Sequence, residues 1–181
     1  MRAPSSSVDV AVGKLGMWVF LVTDAMTFGA LLAAYGVLRA GVDVWPAASA
    51  RLDVPVASLM TFVLLGSSLT VALAGDAAAA GRARATAGWL GATIALGLTF
   101  LGGQAWEYAT LGRHGIGFAL DRAASTFYVC TAWHGAHVAV GVVYLGLVAA
   151  RRRLESVAAA ALFWQFLDAV WILLFTFVYL V

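Results

Sequence analysis

The sequence predicts an all-α, polytopic membrane protein: a bundle of five transmembrane helices with its N-terminus inside and its C-terminus outside. Three observations carry this prediction. The 181 residues are 63% hydrophobic and only 11% charged, with a mean hydropathy of +0.93, whereas a water-soluble domain is about a quarter charged and about half apolar. The apolar residues gather into five runs, each close to the roughly 20 helical residues that cross a bilayer. The 11 lysines and arginines lie between or beside those runs and divide unevenly between two faces. This balance excludes a soluble globule and a disordered tail. A formal net charge of +2 excludes a nucleic-acid partner. The one cysteine, Cys130, excludes a disulfide framework.

The predicted helices span about 15–39, 54–74, 86–111, 125–149 and 157–181, so residues 1–181 form a single transmembrane domain. Met1 to Lys14 are mostly small and polar and lack the apolar core and cleavage pattern of a secretory signal, so the first helix is expected to stay in the mature protein. Asp53 before Pro55 reads as an N-cap followed by a first-turn proline. Gly75-Asp76 is expected to end the second helix and Gly112-Arg113 the third, while Arg151, Arg152 and Arg153 stop the fourth. Ala87, Gly91 and Ala95, with Gly88 and Ala92, repeat every four residues on the third helix, the small-residue spacing that lets helix backbones approach in lipid. Orientation follows from the basic residues: Arg2, Lys14, Arg82, Arg84 and Arg151 to Arg153 share one face, and Arg39, Arg51, Arg113 and Arg122 the other. The richer face lies inside.

Against this apolar background the polar residues stand out, because an ionisable group at membrane depth costs at least ~2.5–3.5 kcal/mol on insertion scales. They are Asp24, Glu107, His134, His137 and Asp168, joined by Gln104 and Gln165. Gln104 and Glu107, His134 and His137, and Gln165 and Asp168 are each three apart, so each pair shares a helix face. At a rise of ~1.5 Å per residue, Asp24, Gln165, Asp168, His134 and His137 all fall roughly 12–18 Å from a membrane end. They are therefore expected to meet in one polar layer. Glu107 lies nearer the outer interface, within reach of water or Arg113. Trp133, Trp164 and Trp171 flank the layer, where each indole N–H needs an acceptor.

The residues alone leave several roles open. The polar groups fit an interhelical hydrogen-bond network that fixes packing. They also fit a proton or ion relay through Asp24, His134, His137 and Asp168. An intramembrane metal or haem site on the two histidines is a third reading, but the Glu-x-x-His pairs of di-metal bundles, HExxH and CxxC are all absent. No phosphate loop or catalytic triad is present, so no catalytic and no metal residue is assigned. Arg82, Arg84, Arg151, Arg152 and Arg153 read as anchors for anionic lipid headgroups or as the topology signal alone.

Four segments carry a resemblance. Gly16 to Phe28, with Asp24 in it, resembles the first helix of the five-helix form of subunit III of haem–copper respiratory oxidases, where an acidic residue holds that position. Gln104-Ala-Trp-Glu107-Tyr108 is similar to the family's Q-x-x-E-Y. Ser125 to Val138, containing His134-Gly135-Ala-His137, is similar to its S-x-F-F…H-G-x-H-V. Phe163 to Trp171 is similar to its W-H-F-x-D-x-x-W, with Gln165 where histidine is usual. Order, spacing and helix placement agree along nearly the whole chain. The resemblance implies an accessory subunit of the aerobic respiratory chain in the bacterial inner membrane. Such a subunit has no redox cofactor of its own, with haem and copper confined to partner subunits I and II. It also implies bound phospholipid and support of proton uptake by the catalytic subunit. Relatives also serve nitric oxide reductases and quinol-oxidising complexes, so electron donor and acceptor stay open.

Overall fold

Backbone amides and carbonyls inside a membrane find no water, so the chain satisfies them within helices. The computed structural model describes residues 7–46, 51–151 and 154–181. It shows α1 (Ser7–Ala40), α2 (Val54–Ala79), α3 (Ala83–Arg113), α4 (Arg122–Arg151) and α5 (Leu154–Leu174), the last continued by one π-helical turn, Phe175–Leu180. All five helices are long and apolar enough to cross a bilayer. Arg152 and Arg153 lie outside the described residues.

Helix ends follow local chemistry. Asp53 accepts the Val56 amide at 3.2 Å, with Pro55 in the first turn of α2. Contrary to expectation, α2 runs through Gly75 and Asp76 to Ala79, whereas α3 ends at Gly112-Arg113 as expected. An interior glycine only weakens a helix, by about 1 kcal/mol. Both helices stop at a left-handed glycine one residue past the cap. Gly81 (φ 68°) follows α2 and Gly115 (φ 75°) follows α3. The return bonds are Arg82 N to Ala77 O at 2.9 Å and Ile116 N to Leu111 O at 2.9 Å. These are Schellman closures, which need a residue free to adopt positive φ.

The connection before α4 is tied down by Asp121. One carboxylate oxygen caps the Ala124 amide at 2.8 Å and the other receives Arg51 Nη1 at 2.5 Å. Partial desolvation pushes the Asp121 carboxyl up, but the Ala124 amide and the Arg51 guanidinium outweigh it and hold the group below the usual carboxylate range.

Helices α2, α3, α4 and α5 pack each against two neighbours in a closed ring, and α1 lies outside it in the groove of α4 and α5. The buried residues of α1 (Leu21, Asp24, Phe28 and Tyr35) recur at the three-, four- and seven-residue spacing of one helix stripe. Those of α2 are mostly small, including Ala57, Ser67, Ala74 and Ala77. The small-residue repeat on α3 does not make the close contacts expected of it. Ala87, Gly88, Gly91 and Ala95 face outward, and a Cβ at Gly88 or Gly91 meets nothing within 4 Å. The close approach is made at Gly97 and Gly141, between which the Trp164 indole is clamped. A Cβ at Gly97 would lie 2.5 Å from Trp164 Cη2 and one at Gly141 3.1 Å from Cε3. The apolar surround, rather than the spacing of small residues, decides which glycines lie inside.

Two outcomes follow. Gly97→Val lowers the unfolding midpoint in detergent by the equivalent of about 1–3 kcal/mol, the usual cost of overpacking, whereas Gly91→Ala leaves it unchanged. Asp121→Ala costs about 1 kcal/mol, the value of a lost cap. Because the native carboxyl is held low, its contribution is complete above the ordinary pKa of about 3.9 and fades as pH falls through the lowered value. Acid titrations of wild type and Asp121→Ala therefore converge at the acid end.

Candidate functional site

Apart from His134, the polar groups Asp24, Gln104, Glu107, His137 and Asp168 reach across to another element, and they form four separate contacts rather than the single layer expected from their depths. Residues three apart on a helix diverge by about 60° in azimuth, enough to address different neighbours.

The first contact joins α1 to α4. His137 Nε2 lies 3.2 Å from Asp24 Oδ1, and its Nδ1 lies 2.8 Å from the Trp133 carbonyl. A carbonyl only accepts, so Nδ1 carries a hydrogen. The Nε2–Oδ1 contact is then bridged by a single further proton, carried by the ring or by the carboxyl. Phe28 closes one side, its ring 5.2 Å from that of His137. Asp24 is buried, and its Oδ2 has no hydrogen-bond partner. His137 retains partial exposure, so this pair reaches the surface of the bundle.

The second contact joins α3 to α4. Gln104 Nε2 donates to the Thr131 carbonyl at 2.6 Å and to the Tyr108 hydroxyl at 3.1 Å, and that hydroxyl lies 2.7 Å from Thr131 Oγ1. Gly135 makes room for it, because a Cβ there would collide with the Gln104 amide. The glycine between the two histidines of α4 is thus explained by its neighbour on α3.

The third set joins α2 to α5. Ser68 Oγ donates to Asp168 Oδ2, Trp164 Nε1 to Ser67 Oγ at 2.8 Å, and Trp171 Nε1 to Thr61 Oγ1 at 3.0 Å. Trp164 and Trp171 therefore find the acceptors their burial requires, whereas Trp133 is exposed. The fourth contact carries Glu107, which among the described residues meets neither Arg113 nor another basic side chain. Tyr179 donates to its Oε2 at 2.7 Å, while Arg113 turns to the Ala109 carbonyl and Thr110. The π-helical turn makes this possible, since its extra residue per turn rotates Val178 and Tyr179 inward, where both are buried.

Two signature residues join none of these contacts. His134 is fully buried with both ring nitrogens unpartnered. It stacks on Trp171 at 5.1 Å and meets Phe100 edge-on at 5.8 Å. Gln165 lies exposed on α5, away from Asp168. Sequence reasoning missed Thr61, Ser67, Ser68, Thr131 and Tyr179. Short hydroxyls in an apolar helix are ordinary, and only the burial of their partners marks these. Arg82, Arg84 and Arg151 are exposed at one end of the bundle, and Arg84 borders a cavity of about 210 Å³ floored by Leu90, Val148 and Val157. Among the described residues no three of His, Cys, Asp or Glu come together in a group that could hold a metal.

Five apolar helices cross-linked by polar pairs define a polytopic membrane protein. Residues 5–181 match the family described as "Cytochrome c oxidase subunit III", and the chain belongs to that family. It is 36% identical over 175 residues to the "Cytochrome c oxidase subunit 3" of Thermostichus vulcanus, covering 92% of this chain and 86% of that one. It is 34% identical over 179 residues to the "Probable quinol oxidase subunit 3" of Staphylococcus saprophyticus, covering 94% and 89%. The Staphylococcus aureus protein of the same description is 32% identical. The chain is thus a bacterial multi-span membrane protein with the accessory, non-catalytic role of this family, in association with catalytic oxidase subunits.

The pairing of polar groups has a measurable consequence. In a double-mutant cycle, Asp24→Ala and His137→Ala couple by at least about 0.5 kcal/mol, because they remove one contact. Asp24→Ala and Asp168→Ala, which share no partner, add within about 0.5 kcal/mol.

Proposed function

We propose that this chain is the third subunit of a haem–copper terminal oxidase of the aerobic respiratory chain, seated with its N-terminus on the inner side against subunits I and II. It stabilises the catalytic subunit, holds phospholipid and supports proton uptake, while haem, copper and electron transfer belong to its partners. The observation that carries this reading is the isolation of its polar groups. Asp24, Asp168 and Glu107 each end on a residue of another element and share no hydrogen-bond partner, as cross-links do and a stand-alone proton or ion relay does not. Gln165 cannot titrate near neutrality, which removes a further station from such a relay.

Within this reading the Asp24–His137 pair is the group that influences proton supply to the catalytic subunit. The exposed Arg82, Arg84 and Arg151 hold anionic headgroups at the inner surface, and Arg152 and Arg153 continue that basic run in sequence. The names of the relatives divide between cytochrome c oxidase and quinol oxidase, so quinol is the second electron donor to test. A nitric oxide-reducing parent is the remaining alternative.

Affinity purification through this chain from native membranes is expected to bring down larger subunits with a haem Soret band and copper. Reduced cytochrome c and quinol assayed in parallel on that complex identify the donor, and oxygen against nitric oxide the acceptor. Asp24→Asn is expected to leave the complex assembled and to shorten the number of turnovers before it inactivates. A chain that purifies alone and dissipates a pH gradient in liposomes overturns the proposal.

A further inference from the structure

Gln165 takes no part in the four interhelical contacts. It lies on α5 roughly 16 Å from Leu154 at ~1.5 Å per residue, near the middle of the span, and its side chain is exposed. Among the described residues its amide joins no hydrogen bond. Hydroxyls exposed elsewhere on the bundle are spent on their own helices: Thr23, Thr27 and Thr99 donate to the carbonyls of Phe20, Thr23 and Ala95 at 2.8, 3.3 and 2.9 Å.

The residue is also the centre of a stripe. Ala158, Leu162, Gln165, Ala169 and Ile172 follow one another at alternating steps of four and three residues. Leu162 is half-buried and the other four are exposed. This is the spacing of a seam between two helices. Its position is the side of α5 that α1, α2 and α4 leave uncovered.

We infer that this stripe seats a transmembrane helix of a partner subunit, which presents an amide or hydroxyl side chain to Gln165. The inference rests on the proposed place of this chain in an oxidase complex, and it adds the face and the chemistry of one contact.

Hydrogen bonding is the first argument, and it selects the occupant. A glutamine amide carries two N–H donors and an accepting oxygen, and hydrocarbon offers nothing in place of water. Acyl chains have no polar group, and the side chain is too short to reach headgroups from the middle of the span. A charged partner would bring an ionised group to the depth where it costs most, so the complement is a neutral hydrogen-bonding side chain on a helix.

The contrast between faces is the second argument. Elsewhere the outward side chains are large and apolar, as lipid requires: Met26 on α1, Leu59, Phe62 and Leu69 on α2, Val140 and Val143 on α4. On the stripe, Ala158 and Ala169 stand on either side of Gln165 and let a second backbone approach closely. A single polar residue within such a seam fixes the register of the helix that packs there. A second copy of this chain would set Gln165 against Gln165. Membership in a family that associates with catalytic oxidase subunits favours a helix of theirs instead.

The test uses the complex purified through this chain from native membranes. A diazirine photo-crosslinking residue is placed at Ala158, Ala169 or Ile172 on the stripe, or at Phe62 or Val140 on the other faces, and adducts are identified by mass spectrometry. The stripe positions are expected to join a transmembrane segment of a different polypeptide that carries an amide or hydroxyl side chain. Gln165→Leu lowers the fraction of this subunit kept through a detergent wash by about threefold, the equivalent of one interhelical hydrogen bond. Gln165→Asn, which keeps the amide, holds it near the wild-type value. Stripe adducts with lipid alone or with a second copy, protein adducts confined to Phe62 or Val140, or full retention of Gln165→Leu each overturns the inference and leaves the wider reading intact. A chain that purifies without partners fails both.

Discussion

In hydrocarbon a buried hydrogen-bonding group has only the neighbouring helices to turn to, and the rest of this molecule is arranged around that constraint. Carboxylates and amides are costly to leave bare, so the contacts they make fix which helices lie side by side, while the buried His134 ring packs on Trp171 and Phe100. Asp24 places α1 on α4, Gln104 places α3 on α4, and Asp168 with the Trp164 and Trp171 indoles places α5 on α2. Single interhelical hydrogen bonds in membranes average about 0.6 kcal/mol. Their importance here lies less in total energy than in specifying one helix order among several that apolar packing alone permits.

Packing completes what the polar contacts specify. Trp164 sits in the notch left by Gly97 and Gly141 and donates into α2 at Ser67, so one side chain ties α5 to α2, α3 and α4. Gly135 plays the same part for Gln104. Toward the loop face, Arg51–Asp121 and Arg39 with the Val181 backbone oxygen clasp the connections over the bundle.

Much of this was legible in the amino-acid sequence, for definable reasons. Hydropathy shows five spans because the bilayer imposes a minimum length, and Asp53-x-Pro55 shows a helix start because capping is local. The meeting of Asp24 with His137 follows from their common depth. The end of α3 was legible at Gly112-Arg113, whereas α2 runs past Gly75-Asp76 and closes on Gly81. What separates Gly75 from Gly81 is φ, which no single glycine announces. The partners of Glu107 and Asp168 were hidden for another reason. Tyr179 reaches Glu107 only through a π-helical turn, and Ser68 is one of many hydroxyls in an apolar helix. Depth along the axis can be counted from sequence, whereas azimuth depends on which helices become neighbours. That is why one expected polar layer resolves into four contacts, and why Gln165 and Asp168, three residues apart, face different surroundings.

The central claim is that the ionisable groups of this chain join helices while the electron chemistry lies in its partners. Gas-phase release of this subunit from the intact complex, followed by its mass and by the visible spectrum of what remains, tests it most directly. The account predicts a released mass equal to the polypeptide, alone or with whole phospholipids added, and a residual complex that keeps all its haem absorbance. A released subunit carrying haem or metal, with matching loss of absorbance from the remainder, would contradict it.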